Sequence, residues 1–227
     1  MSAHDDVHPR GKRELAKAHN RAEILAAARQ VFTEMGYGAA SIRDIIRRTT
    51  LAAGTFYNYF PDKEAIFRTL VEESTRQVRQ RVRAARERAG TLAEFVGDGY
   101  RAFFQFVADD RVAFELMRRN DAAIRSLLGE PALMAGAEEL LEDLQTAVDR
   151  GVLAGFDLDY MAGAMYGVAF EVAVRMVDRQ PVDVEGATRF ASTLFLAAIE
   201  AFRAVVPPAD TGRHRPSPAT RGPKVER

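Results

Sequence analysis

The stretch Thr55-Phe56-Tyr57-Asn58-Tyr59-Phe60 sets four aromatic rings in five consecutive positions and interleaves them with an amide and hydroxyls. Tips of this kind bond phosphates and base edges, or fill a protein interface. Groups suited to covalent or metal chemistry are placed poorly by comparison. The four histidines, His4, His8, His19 and His214, lie at or beside the chain ends, and there is no cysteine. Ser-His or Cys-His catalysis would therefore have no base in the folded body, and a zinc site would need carboxylates alone. The expectation is a protein that is not an enzyme, with no catalytic residue, no cofactor and no metal. A helical enzyme working through carboxylates is the rival, but no Asp/Glu pair clusters at an obvious spacing.

The rings must be sorted by the element that carries them. At about 100° per residue, Phe56 and Phe60 share one helical face, which continues the apolar pattern of the flanking segments. Ala53, Gly54, Tyr57 and Asn58 occupy a different arc, with Thr55 at its edge and Tyr59 between the two. Two rings are expected in a core and the polar-tipped ones outward. Small residues allow close approach to a groove, while Tyr and Asn bond phosphates or base edges. A protein partner would also suit an exposed tyrosine, so this pattern alone favours DNA only modestly.

The surrounding elements read as helices throughout. Asn20 with Glu23 resembles a capping box ahead of Ile24, Leu25, Ala28, Val31, Phe32 and Met35, and Gly36 suits a C-terminal cap. Ser41 with Asp44 opens a second helix through Ile45 and Ile46. A break at Thr49-Thr50-Leu51 precedes the ring-bearing helix, which Pro61 ends. Asp62 caps a fourth helix with the stripe Ile66, Phe67, Leu70, Val71, Val78 and Val82. Further helices are expected over 92–107, 110–119, 121–128, from Pro131 to about Arg150, from Asp157 to about Arg179, and from Val182 to about Val206. No period-2 strand is evident. The fold class is all-α. The predicted organisation is a basic flexible arm (1–19), a helix-turn-helix domain (20–62), a ligand-binding and dimerisation domain (63–206) and a disordered tail (207–227).

Composition sets limits on partners. The 227 residues are 47% hydrophobic and 28% charged, the balance of a globular chain. Formal net charge is zero, so affinity for nucleic acid would have to come from an uneven distribution. Between Arg10 and Arg21 five basic residues stand against Glu14. The N-terminus lacks the apolar run of a signal peptide. Asp159, Glu171 and Arg175 interrupt the most apolar segment, 158–177, so no membrane partner is expected and the location is read as cytoplasmic.

Three short helices with a tight break between the last two fit a helix-turn-helix reader. The pattern is then specific: Arg21-x-x-Ile24-Leu25-x-Ala27-Ala28-x3-Phe32-x3-Gly36-Tyr37, followed by Ser41-Ile42-Arg43-Asp44-Ile45 and by Gly54-Thr55-Phe56-Tyr57-Asn58-Tyr59-Phe60-x-x-Lys63-Glu64. Over about 45 residues this resembles the tetracycline-repressor (TetR) family of bacterial transcription regulators. The resemblance implies that Ser41, Arg43, Tyr57, Tyr59 and Lys63 hold the DNA backbone, while Ala53, Gly54, Thr55 and Asn58 lie toward bases. It also implies a homodimer on a near-palindromic operator, acting as a repressor released by a small effector. A DNA-binding regulator without an effector is the alternative. Two departures stand out: the break has no glycine, and the ring-bearing helix starts with Ala52-Ala53 in place of a polar cap.

Beyond residue 70 only coarser patterns remain. Tyr100, Phe103, Phe104, Phe114, Met117, Met134, Met161, Met165, Tyr166 and Phe170 concentrate rings and thioethers that could line a pocket for an apolar or aromatic effector. Gly163-x-x-x-Gly167 and the face Ala187, Ala191, Leu194, Ala198 and Ala201 suit close helix approach, either within one subunit or between two. The resemblance to homodimeric regulators favours the interface. Gly97-x-Gly99-x-x-Ala102 lacks the preceding strand a dinucleotide loop needs and is read as helix. Glu171 and Arg175, at i,i+4, are read as a mutual pair.

Overall fold

In the computed structural model the described residues are 9–128, 130–150, 153 and 156–205; the N-terminal part of the arm and the tail 207–227 lie outside them. Among these residues there is helix and no strand, so the chain is all-α. The helices are α1 (Pro9–Met35), α2 (Ile42–Ile46), α3 (Ala53–Phe56), α4 (Lys63–Glu87), α5 (Leu92–Asp109), α6 (Arg111–Arg119), α7 (Asp121–Leu128), α8 (Glu130–Asp149), α9 (Leu158–Val177) and α10 (Val184–Val205).

Local chemistry explains most boundaries. Gly36, at φ 79°, ends α1 in the left-handed region. Ser41 and Asp44 close a reciprocal capping box on α2, Asp62 accepts from the Ala65 N–H at 2.7 Å, and Thr91 with Glu94 boxes α5. The G-x-G-x-x-A pattern lies inside α5. The start of α1 differs from the expected arm. Helix begins at Pro9, and 13–19 are helical and exposed. Pro suits a first helical position, and Arg13–Ala18 are mostly strong helix formers with no breaker. Asn20 and Glu23 are therefore mid-helix, and their side chains bond elsewhere: Asn20 donates to the Tyr59 hydroxyl at 3.0 Å, while Glu23 accepts from Thr50.

Two apolar cores form. The first joins Ile24, Val31, Phe32, Ile45, Phe56 and Phe60 to Phe67 and Leu70 of α4, and also to Leu116 of α6 and Ile124 of α7. The second gathers α5, α6, α8, α9 and α10 around Phe104, Leu144, Ala173 and Ile199. Helices α4 and α6 thus contribute to both regions. Buried Asn120, at the end of α6, fastens them. Its amide donates to the Phe32 and Leu116 carbonyls and accepts the Tyr37 N–H at 2.6 Å.

Candidate nucleic-acid interface and ligand cavity

The rings divide as the 100° rotation requires. Phe56 is fully buried and Phe60 nearly so, whereas Tyr57 is 55% exposed. Ala53, Gly54 and Asn58 are also exposed, and Thr55 and Tyr59 are half-buried. Helical hydrogen bonding continues past α3 through the Tyr59 N–H to Phe56 O and the Phe60 N–H to Phe56 O, so the arc persists to the end of the ring cluster.

Side chains perform the work of the absent turn glycine. Thr49 Oγ1 donates to Ile46 O at 2.9 Å and accepts the Leu51 N–H at 3.3 Å. Glu23 receives the Thr50 N–H and, on its other oxygen, the Thr50 hydroxyl at 3.2 Å. These bonds, the backbone one first, hold the Glu23 carboxyl below its usual range. The break needs no positive φ; among the described residues only Gly36 has one. Ala52 gives α3 no side-chain cap.

The expected backbone-holding residues fall into two groups. Arg43 and Tyr57 are exposed and project from α2 and from the end of α3. Ser41, Tyr59 and Lys63 already have internal partners. The Ser41 hydroxyl lies 2.5 Å from Asp44 Oδ2, and Tyr59 accepts from Asn20. Lys63 is turned toward the α1–α2 loop, where Nζ donates to Tyr37 O at 2.8 Å and Ala40 O at 2.9 Å, 4.2 Å from the Tyr37 ring centroid. A cation at a helix N-terminus is disfavoured by the dipole, and these two carbonyls offset that. Exposed Arg13 and Lys17 on the early turns of α1 extend the basic surface. Their charge was legible in sequence, but the helix that projects them was not.

Residues 24–70 match the family model described as bacterial regulatory proteins, tetR family. Residues 24–70 thus form a TetR-family DNA-binding head. Likeness to solved structures extends beyond the head. The fatty acid degradation regulator FadR from Bacillus halodurans is 22% identical, with a TM-score of 0.68 over 79% of this chain and 96% of its own. Salmonella enterica GusR is 19% identical, with a TM-score of 0.65 over 86% and 100%. A tetR-family regulatory protein from Rhodococcus RHA1 is 20% identical, with a TM-score of 0.64 over 81% and 96%. At these identities the likeness is one of fold.

Within the body a cavity of about 140 Å³ opens between α4, α5, α6, α8 and α9. Of the expected ring and thioether residues, Tyr100, Phe103, Phe114, Met117, Met165, Tyr166 and Phe170 line it. Phe104 and Met161 do not; both are packed in the second core, on the other sides of α5 and α9. The Met134 side chain lies outside the described residues. Tyr100 donates to Met165 O at 3.1 Å, and burial pushes its hydroxyl pKa far up, which keeps it a neutral donor. Burial raises Tyr166 in the same way.

The α4 wall was not expected. Ser74, Thr75, Val78, Arg79, Val82 and Arg86 all face the cavity. A signal existed: Ser74 interrupts the apolar stripe between Val71 and Val78, and Arg86 continues the four-residue spacing from Val78 and Val82. Ser74 Oγ and Thr75 Oγ1 are buried without a hydrogen-bond partner. Arg79 bonds Glu139 through Nε at 2.8 Å, and Arg86 reaches Asp143 at 3.3 Å, tying α4 to α8. Arg86 is covered once α5 packs on it.

The small-residue faces also divide. Gly163 and Gly167 are exposed, and a Cβ at either would meet nothing within 4 Å, so they do not serve close packing within the subunit. Ala187 and Ala191 do, being buried in the second core. Leu194 and Ala201 are exposed and Ala198 is half-buried on α10. Beside them stand Phe190 at 61% exposure, Phe202, and Tyr160 at 79%. Glu171 and Arg175 pair at 3.7 Å. Among the described residues no group of His, Cys, Asp and Glu gathers to hold a metal, and no helix is long and apolar enough to cross a membrane.

Proposed function

We propose that this regulator is a homodimeric repressor that reads a near-palindromic operator through its exposed α3 arc and is released by a small, largely apolar effector. The observation that carries the DNA reading is the division of the ring cluster, with Phe56 and Phe60 inside and Ala53, Gly54, Tyr57 and Asn58 outside. Arg43 and Tyr57 act on phosphates and Asn58, with Thr55, on base edges. Ser41, Tyr59 and Lys63 mainly set the position of α2, α3 and the loop before them. Arg13 and Lys17 add phosphate contacts from α1.

The dimer reading rests on the exposed faces of α9 and α10. Gly163 and Gly167 leave α9 bare for a second helix, and Tyr160, Phe190, Leu194 and Phe202 supply apolar area that solvent would otherwise meet. The release reading rests on shared helices. Phe114 and Met117 of α6 line the cavity, while Leu116 and Asn120 of the same helix pack on the head. A ligand that favours one placement of α4 and α6 thereby biases the spacing of the heads, to the extent of its differential affinity for the two placements.

Selection of bound fragments from genomic DNA, repeated with metabolite pools, tests the function directly. On the selected site, Arg43→Ala should weaken binding to all sequences and lower the salt slope by about 1. Asn58→Ala should change the ranking of operators. If shuffled DNA competes as well as the best selected fragment, the groove-reading role is wrong.

A further inference from the structure

We propose that the cavity takes an elongated organic acid, its anionic end received by Arg86 and its apolar body running along α4 toward Ser74. This rests on the effector reading above and gives it a ligand class. Arg86 carries five N–H donors in a planar fork, and its side chain is only 15% exposed. Its one hydrogen bond, Nη1 to Asp143 Oδ2, is long at 3.3 Å. The guanidinium stands 5.4 Å from the Phe95 ring centroid, and a Cβ on Gly99 would lie 3.2 Å from its Nε, so Gly99 makes the room in which it sits. An arginine so covered and so sparsely bonded calls for a further acceptor, and a carboxylate fits two of its N–H groups side by side.

The neighbouring charges leave this role to Arg86. Arg79 is closed by Glu139, which takes both its Nε and an Nη on one oxygen. Asp143 is 42% exposed and can turn to water when a ligand carboxylate takes its place. Burial acts against the ionised form of both Arg86 and Asp143, so their pair is weakly held. The other end of the cavity carries a second, independent mark. Ser74 lines the cavity, is 3% exposed, and its buried hydroxyl has no hydrogen-bond partner. Twelve residues of α4 separate Ser74 from Arg86, about 18 Å of helix. Between them Val78, Val82, Phe103 and Val107 give an apolar wall. A long molecule with one charged end suits that distribution, and a compact polar one does not.

The test uses the full chain and three ten-carbon probes that differ only in the head group: decanoate, decan-1-ol and decylamine. Calorimetric titration should rank decanoate first, about tenfold or more tighter than decanol, the factor that one hydrogen bond to a charged group contributes. Decylamine should be weakest, and butyrate, too short for the apolar wall, should not compete. Arg86→Met should abolish the preference for the acid and leave decanol affinity within about twofold, since the ethylene stem is retained and a thioether replaces the guanidinium against Phe95. Should that variant fail to fold, Asp143→Asn carries the test: removing the competing carboxylate should tighten decanoate severalfold and leave decanol unchanged. Equal or tighter binding of decanol by the wild type overturns the proposal while leaving the effector cavity in place, and so does decanoate affinity indifferent to both substitutions. Binding of none of the probes also overturns it. The effector reading is then judged separately, by whether a metabolite pool displaces operator DNA.

Discussion

Asn120→Ala should destabilise the protein by about 2–4 kcal/mol, because it breaks the joint between head and body. The side chain is 3% exposed and uses both ends of its amide. Its Oδ1 accepts the Tyr37 N–H at 2.6 Å, and its Nδ2 donates to Phe32 O at 3.2 Å and Leu116 O at 2.8 Å. These losses are unequal. Phe32 O retains the Gly36 N–H at 3.1 Å, so its deprivation is slight. The Tyr37 N–H has no second acceptor, and an unsatisfied, partly buried donor costs about 1–3 kcal/mol. A void of about methyl size adds roughly 1 kcal/mol. Since 1.4 kcal/mol is tenfold, the folded-to-unfolded ratio should fall by about thirty- to several hundredfold. Urea unfolding at one fixed protein concentration measures it, because a dimer's midpoint depends on concentration. Arg118→Ala, which removes an exposed pair with Glu115 on the same helix, is the control and should stay within about 0.5 kcal/mol. A shift for Asn120→Ala no larger than the control's would refute the joint. A fall in the slope m would indicate that the head now unfolds separately from the body.

Replacing Gly163 and Gly167 together by Leu should leave the subunit folded and separate the dimer. Both positions are exposed and an added Cβ meets nothing within 4 Å, and Leu is the better helix former by close to 1 kcal/mol per site. Light scattering should report a monomer with unchanged helix content, and a persistent dimer would remove this face of α9 from the interface. Glu23→Gln should destabilise the protein at neutral pH and progressively less in acid. The folded carboxyl is held below the ordinary range, so its contribution is complete above about pH 4.3 and is lost as pH falls through the folded value. A wild-type-minus-variant difference that stays constant from pH 7 to pH 3 would show that the Thr50 bonds do not discriminate the charged form.

The sequence by itself determined the parts that depend on periodicity and local bonding. The 100° rotation separated Phe56 and Phe60 from Tyr57 and Asn58, and burial follows that division because a helix of fixed pitch leaves no other arrangement. Caps at Gly36, Ser41 and Asp62 were legible for the same reason, since donor and acceptor lie within a few residues. The seven ring and thioether positions that reach the cavity were visible as a composition, though not distinguishable from Phe104 and Met161. Which side of α5 or α9 meets a void and which meets a core is set by neighbouring helices, not by the helix itself.

Tertiary structure alone decided the rest. Lys63, expected to hold the DNA backbone, is met instead by two carbonyls of the α1–α2 loop, and Arg86 is enclosed only because α5 covers it. Asn120 gave no signal at all, because its partners Phe32 and Tyr37 are 88 and 83 residues away. The extension of α1 to Pro9 lies between these cases: its residues favour helix, but a capping pattern at Asn20 and Glu23 suggested a later start. That pattern was overridden because Tyr59 and Thr50, distant in sequence and adjacent in space, bond the same two side chains. Local rules give each helix its faces. Only the packed chain determines what each face meets.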